Sequence, residues 1–157
     1  MSNLLEIHNL KTSFLTGGGE VQAVRGVSLH IGRGECVGVV GESGSGKSVT
    51  FLSVLQLLAS TGKIMEGEIL FDGQDITRMT RKQLRDIRGN HISMIFQDPM
   101  SSLNPLIPVG KQVGEMLWSH NRSLSTAERE KRTVELFSMV RIPEPEKRLK
   151  SFPHEFS

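Results

Sequence analysis

Apolar and polar residues alternate regularly in the first third of the chain. The stretches NLLEIHNL (3–10) and AVRGVSLHI (23–31) place apolar side chains at every second position, which is typical of strands with one buried face. The glycine run 17–19 between them predicts a loop. Two later segments, CVGVV (36–40) and HISMIF (91–96), are apolar almost throughout, and we expect them to form short strands buried on both faces.

Helical periodicity follows, and capping signals bound two of the predicted helices. Thr80 and Gln83 have the spacing of a capping box, and Gly89 is well placed to end that helix in the left-handed conformation. Ser125 and Glu128 form a second capping box. The four predicted helices cover residues 49–59, 81–88, 109–118 and 126–140. Strands first and helices later predict an α/β domain with a helical attachment.

Composition and charge narrow the class of protein. The chain has 157 residues, of which 37% are hydrophobic and only 5% aromatic, so we expect one domain with a mainly aliphatic core. Its net charge is +2 without a basic stripe, which does not favour a nucleic-acid partner. Cys36 lies among valines and is expected to be a buried core thiol. The longest apolar region, 49–59, is too short to cross a bilayer, and the start of the chain does not resemble a secretory signal. We therefore expect any membrane connection to run through a partner protein.

The bare segment GESGSGKS (41–48) carries the clearest chemical signal. It matches the pattern G-x-x-x-x-G-K-[ST] in full, and this phosphate loop cradles a triphosphate with backbone N–H groups that glycines allow to approach closely. The helix that follows adds its positive N-terminal dipole. We expect Lys47 to reach the β- and γ-phosphates and Ser48 to ligate Mg²⁺. The predicted ATP contacts are Gly41, Ser43, Gly44, Ser45, Gly46, Lys47, Ser48 and Val49.

A chance glycine-serine linker is the alternative interpretation of this segment. The position between a predicted buried strand and a predicted helix favours the phosphate loop, because that is the context which the loop requires. The motif alone does not separate kinases, small GTPases, motor ATPases and transporter ATPases.

The stretch MIFQDPMSSLNP (94–105) makes the assignment more specific. An apolar run ending in Gln97, followed by Asp98 and Pro99, resembles the Q-loop of ATP-binding cassette (ABC) proteins, and its extended form (96–105) resembles the subfamily that imports dipeptides, oligopeptides and nickel. The resemblance covers nearly the whole chain in the family's order. It implies a P-loop NTPase fold of the ABC type, with a parallel or mixed sheet core, an antiparallel β subdomain and the start of a helical subdomain.

The resemblance also implies roles for individual residues and for two regions. Gln97 would approach Mg²⁺ and the attacking water and relay the nucleotide state to a membrane subunit, although a residue that only caps the loop is the alternative. Phe14 would stack on adenine, with an ordinary core phenylalanine on an edge strand as the competing interpretation, and Ala23 would line the ribose. Residues 1–100 would be the nucleotide-binding core, and residues 101–157 the continuation of the Q-loop with part of the helical subdomain.

Several other residues suggest chemistry but are interpreted as structural. Asp72 ends the apolar stretch EILFD, as in a Walker B strand, but Gly73 follows it and no glutamate is adjacent to act as a base. We therefore expect a hairpin turn at Asp72 and Gly73. The histidines at 91, 120 and 154 do not have the spacing of metal ligands.

The final stretch SFPHEFS (151–157) resembles the approach to the ABC signature sequence, whose serine would be Ser157. Family members continue with Walker B, the catalytic glutamate and the switch histidine. The resemblance therefore implies that the chain is the N-terminal part of a cassette, and we expect it to bind Mg²⁺ and ATP without turning ATP over.

Taken together, these residues predict the ATP-binding subunit of a peptide or nickel importer, peripheral on the cytoplasmic face of the cell membrane. Its partners would be transmembrane permease subunits, a second ATP-binding subunit and, indirectly, a substrate-binding protein. A soluble ABC ATPase of DNA repair or translation is the main alternative, although the stretch 98–105 and the lack of a long coiled-coil insertion speak against it. A non-catalytic binding module is a third possibility for the fragment itself.

Overall fold

An antiparallel sheet of four strands forms most of the ordered β structure. The computed structural model describes residues 3–98 and 102–156. Within them the strand order is β2-β1-β3-β4, and every neighbouring pair is antiparallel. The strands are β1 (Asn3–Thr16), β2 (Gly19–Gly32), β3 (Gly62–Phe71) and β4 (Gln74–Asp75). The two alternating stretches thus form strands as predicted; β1 continues past its predicted C-terminal end, and β2 extends beyond both predicted ends.

The hairpin between β3 and β4 confirms the structural interpretation of Asp72. Asp72 and Gly73 have φ values of 49° and 75°, as a tight hairpin turn with two left-handed residues requires. The Asp72 carboxylate forms an ion pair with Arg33, just after β2. This carboxylate therefore ties together two turns of the sheet.

The described residues form five helices. They are α1 (Lys47–Val54), α2 (Arg81–Ile87), α3 (Val109–His120), α4 (Thr126–Met139) and α5 (Pro145–Arg148). Short 3₁₀ turns cover Ile76–Arg78 and Pro153–Glu155. None of the helices in the described part of the chain has the length and apolar character that a membrane crossing requires.

Both predicted capping boxes are present. The Thr80 hydroxyl accepts from the Gln83 N–H at 3.4 Å, and the Gln83 side chain accepts from the Thr80 N–H at 2.9 Å. Ser125 and Glu128 form the same reciprocal pair at the start of α4. Gly89 follows α2 with φ +80°, as expected of a glycine that ends a helix.

Helix α1 differs from the prediction at both ends, because it begins at Lys47 rather than 49 and ends at Val54 rather than 59. Gln56 has φ +48°, and its N–H donates to the Ser53 carbonyl at 3.0 Å. The Leu57 N–H donates to the Leu52 carbonyl at 2.9 Å. These two bonds form a Schellman motif, which closes the helix although its left-handed residue is not glycine.

The prediction that segments 36–40 and 91–96 form buried strands is wrong. Residues 36–40 have no regular secondary structure, and residues 91–96 hold only a single bridge residue. Val40 is 97% exposed and Ile95 93% exposed, and Cys36 is exposed rather than buried. A strand buried on both faces needs a partner strand on each edge and a layer on each face. Among the described residues only the antiparallel sheet forms, so neither segment has this environment.

The chain divides into two compact units between Arg88 and Gly89. The first unit has its core between the sheet and its helices. Its buried apolar residues are Leu5, Ile7, Leu10, Val24, Val54, Leu55, Ile69, Ile76 and Leu84. The second unit buries Val109 and Phe137, and the Phe137 ring meets Phe156 edge-on with centroids 6.2 Å apart. The predicted boundary between 100 and 101 lies outside the described residues.

Candidate functional site

The phosphate loop (residues 41–46) is a tight turn that relies on glycine. The Ser45 N–H donates to the Glu42 carbonyl at 3.2 Å, and the backbone is left-handed at Gly44 (φ +81°) and Gly46 (φ +90°). A side chain at Gly41 would meet the Ser45 hydroxyl at 2.9 Å. The loop can follow this path because three of its positions carry no side chain.

The Lys47 ammonium lies inside the curl of this loop. It donates to the carbonyls of Gly41 at 2.6 Å and Glu42 at 2.8 Å, and to the Ser45 hydroxyl at 3.3 Å. These three hydrogen bonds hold the positive charge against the loop. The Glu42 carbonyl was not predicted as part of the site, because a backbone acceptor leaves no trace in the residue type.

Helix α1 begins directly after the loop with an open N-terminus. Gly46 is its N-cap residue, no side chain of a described residue caps it, and its first turn holds no acidic residue. Since the first intrahelical bond runs from the Thr50 N–H to the Gly46 carbonyl at 2.8 Å, the N–H groups of Lys47, Ser48 and Val49 have no partner within the helix. Free amides, the helix dipole and the Lys47 charge together fit an anion such as phosphate.

The side chains of Ser43 and Ser48 at this N-terminus are exposed, and Val49 is half-buried. An exposed hydroxyl at the second helical position can supply one oxygen ligand to Mg²⁺, the kind of donor that this ion prefers. Within residues 3–98 and 102–156, no cluster of three or more His, Cys, Asp or Glu side chains could hold a metal ion.

The loop rests against strand β2 at Ala23. A Cβ atom added to Gly46 would lie 2.5 Å from the Ala23 carbonyl oxygen, so glycine is required for this close approach as well as for its φ. The structure therefore brings Ala23 and the phosphate loop together, as the predicted site needs.

Phe14 lies on β1, opposite Val21 of β2 and Gly62 of β3. It is half-buried, and a Cβ atom at Gly62 would come within 2.9 Å of its ring. The ring thus occupies space that a glycine leaves open on one side and keeps part of its surface in solvent. Both interpretations of Phe14, a stacking platform and a core residue, remain compatible with this position.

Gln97 is exposed and belongs to the second unit, whereas the phosphate loop belongs to the first. Its predicted approach to Mg²⁺ and water stays a prediction. The Q-loop residues at 99–101 and the predicted signature serine, Ser157, lie outside the described residues.

Comparison with known proteins decides the family. Residues 24–157 match the family described as ABC transporter. The chain belongs to this family. Cassette structures confirm the expected fold class. A dimeric structure of MJ0796, a bacterial ABC transporter cassette, superposes with a TM-score of 0.80 at 28% identity over 98% of this chain and 63% of that chain. The post-hydrolysis dimer of the same cassette bound to ADP and Pi gives a TM-score of 0.78 at 27% identity over the same shares.

Several curated relatives of the chain are named as peptide transport proteins. The oligopeptide transport ATP-binding protein OppD of Bacillus subtilis is 51% identical across 100% of this chain, which covers 44% of OppD. The dipeptide transport ATP-binding protein DppD of Bacillus subtilis is 49% identical across 100% of this chain and 47% of its own length. OppD of Salmonella typhimurium is 44% identical across 98% of this chain. The chain thus spans about half the length of the curated relatives it matches.

Proposed function

We propose that this chain carries the phosphate-binding part of the ATP-binding subunit of an ABC importer for peptides. The observation that carries the proposal is the Lys47 ammonium, held by the carbonyls of Gly41 and Glu42, at the uncapped N-terminus of α1. This arrangement presents one fixed positive charge and several backbone amides to the same anion. The peptide substrate is proposed because the relatives are named as oligopeptide and dipeptide transport proteins.

Each residue of the loop has a distinct task in this proposal. Lys47 neutralises charge on the β- and γ-phosphates, while the amides of Lys47, Ser48 and Val49, which have no partner within the helix, hold their oxygens. Ser48 would supply a ligand to Mg²⁺, which when bound spreads the phosphate charge. Ala23 would border the ribose, because its carbonyl lies close to Gly46, and Phe14 would border the adenine.

Gln97 would orient the attacking water and transmit the state of the nucleotide to the membrane subunits. The proposed partners are transmembrane permease subunits and a second ATP-binding subunit, with a substrate-binding protein acting indirectly. The subunit would then sit peripherally on the cytoplasmic face of the membrane. The names of the relatives, all transport ATP-binding proteins, support these partners.

Titration of the purified chain with a fluorescent ATP analogue tests nucleotide binding. We expect binding that requires Mg²⁺ and that Lys47→Ala weakens about tenfold or more, because a charge-assisted bond contributes about 1.5–3 kcal/mol. Lys82→Ala, which removes an exposed lysine from α2, is the matched control. Equal affinities of wild type and Lys47→Ala would contradict the proposal.

We further propose that the chain binds ATP without steady turnover. Asp72 follows an apolar strand, but it lies in a hairpin turn and pairs with Arg33, which does not favour a role as the catalytic base. An assay of phosphate release over many turnovers tests this. Release that depends on Lys47 would show that the chain does hydrolyse ATP.

A further inference from the structure

The end of α1 that is remote from the phosphate loop is held by two side chains outside the helix. The Arg88 guanidinium donates from Nε to the Leu55 carbonyl at 2.7 Å and from Nη2 to the Gln56 carbonyl at 2.8 Å. The Gln56 side chain donates to the Ile76 carbonyl at 2.5 Å. The left-handed residue that ends α1 is therefore bound through both its carbonyl and its side chain.

A helix of eight residues needs such support. Isolated helices of this length are not stable in water, so their orientation depends on tertiary contacts. The N-terminus of α1 has to stay open if phosphate is to bind there, and no side chain of a described residue caps it. The orientation of α1 can therefore be fixed through its buried residues Thr50, Ser53 and Val54 and through its C-terminal end.

The guanidinium of Arg88 suits the C-terminal end in both charge and shape. A cation at a helix C-terminus is stabilised by the helix dipole, and the planar fork of arginine can donate to two carbonyls at once, which a lysine ammonium does less specifically. Arg88 itself is half-buried. Its backbone N–H donates to Leu84 at 2.9 Å, so α2 in turn holds Arg88 in place.

We propose that Arg88 is a positioning residue for nucleotide binding, which locks the C-terminal end of α1 and thereby holds Lys47 and the loop in their binding geometry. This inference rests on the proposed function of the loop. Arg88 touches no phosphate in this proposal and acts only through α1.

The test compares Arg88→Gln, Arg88→Lys and the control Arg85→Gln in the ATP-analogue titration with Mg²⁺. Arg85 lies in the last turn of α2, the helix that Arg88 follows, and its side chain is exposed. We expect Arg88→Gln to raise the dissociation constant about tenfold, since the affinity falls in proportion to the population of the competent conformation. Arg88→Lys should give an intermediate loss, and Arg85→Gln should bind like wild type.

Amide hydrogen exchange without nucleotide gives a second readout. Arg88→Gln should speed exchange in residues 41–54 relative to the strands of the sheet. If Arg88→Gln does not fold, Arg88→Lys decides: a weakened affinity supports the proposal and an unchanged affinity overturns it. Binding that depends on Lys47 but is unaffected by Arg88→Gln refutes only this inference, whereas binding that ignores Lys47 refutes the proposed function.

Discussion

The hydroxyl oxygens of Thr12 in β1 and Ser53 in α1 lie 3.0 Å apart, and both side chains are buried. The Ser53 hydroxyl also donates to the Val49 carbonyl at 2.7 Å, so the Thr12 hydroxyl is the donor between the two. This bond joins the sheet to the helix that follows the phosphate loop. Ser53 lies two residues before Leu55, whose carbonyl accepts from Arg88.

Removing Ser53 from this pair should destabilise the first unit. We expect Ser53→Ala to lower the free energy of unfolding by about 2 kcal/mol, because it leaves the buried Thr12 hydroxyl without its acceptor. Thr12→Val should cost about 1 kcal/mol, and the double variant less than the sum of the two. Urea denaturation measures all three. Ser60→Ala, at an exposed position, is the control, and strict additivity would show that the two hydroxyls do not interact.

Substitution of Gly46 should abolish nucleotide binding. Gly46→Ala adds a Cβ atom 2.5 Å from the Ala23 oxygen at a φ of +90°, so loop and strand must move apart. Gly44→Ala shares the left-handed backbone (φ +81°) but meets nothing within 4 Å, and we expect it to cost only about 1–2 kcal/mol of stability.

Gly17→Ala is the control for both variants, because it has open space and no positive φ. Calorimetric titration with Mg²⁺ and ATP provides the affinities. Wild-type affinity in Gly46→Ala would show that the contact with Ala23 is dispensable.

The two interpretations of Phe14 can be separated with two ligands. If Phe14 stacks on adenine, Phe14→Leu should weaken ATP binding about fivefold, from the loss of about 1 kcal/mol of aromatic contact, and leave inorganic tripolyphosphate unaffected. If Phe14 is only a core residue, Phe14→Leu should lower the free energy of unfolding, and the ratio of the affinities for ATP and tripolyphosphate should stay as in wild type. Phe71→Leu, a half-buried phenylalanine in β3 of the same sheet, is the control in competition assays.

The N-terminus of α4 should respond to acid. The Ser125 hydroxyl donates a hydrogen bond to the Glu128 carboxylate, and so does the Ser125 backbone N–H. The hydroxyl first, and the N–H to a lesser extent, hold the pKa of Glu128 below the ordinary glutamate value. Because the folded pKa is the lower one, the stabilisation is fully present above the ordinary pKa of about 4.3 and is lost as the pH falls through the lowered value.

Unfolding of wild type and Glu128→Gln between pH 7 and pH 2.5 measures this effect. Glutamine preserves the capping box without a titrating group, so we expect the two stability profiles to converge as the pH falls. Glu130→Gln, an exposed glutamate of the same helix, controls for the removal of a charge. Parallel profiles for wild type and Glu128→Gln would contradict the role of the carboxylate.

The features that the sequence predicted well are local ones. A capping box requires only residues three apart, such as Ser125 and Glu128, and a left-handed turn requires only glycines at given positions. The segment 41–48 carries the second kind of signal, since the backbone is left-handed at Gly44 and Gly46, although α1 begins two residues before its predicted start. The ABC family was predictable for the same reason, because its motifs are contiguous stretches.

The features that were missed depend on distant parts of the chain. The bonds from Arg88 reach Leu55 and Gln56 across more than thirty positions, and nothing around Gln56 marks the end of α1. The segment 36–40 is apolar enough for a buried strand, but burial requires neighbouring strands that the segment itself cannot encode. An apolar run predicts a tendency to be buried, and the partner decides whether burial occurs.

The valines of segment 36–40 affect how this chain behaves at high concentration. Val40 and Ile95 are almost fully in contact with water, and a net charge of +2 gives little electrostatic repulsion between molecules. Exposed apolar surface of this kind favours self-association, and sulfate strengthens that tendency because it is excluded from protein surfaces. We therefore expect the chain to self-associate as its concentration rises, and dilute protein in low-sulfate buffer should remain monodisperse the longest.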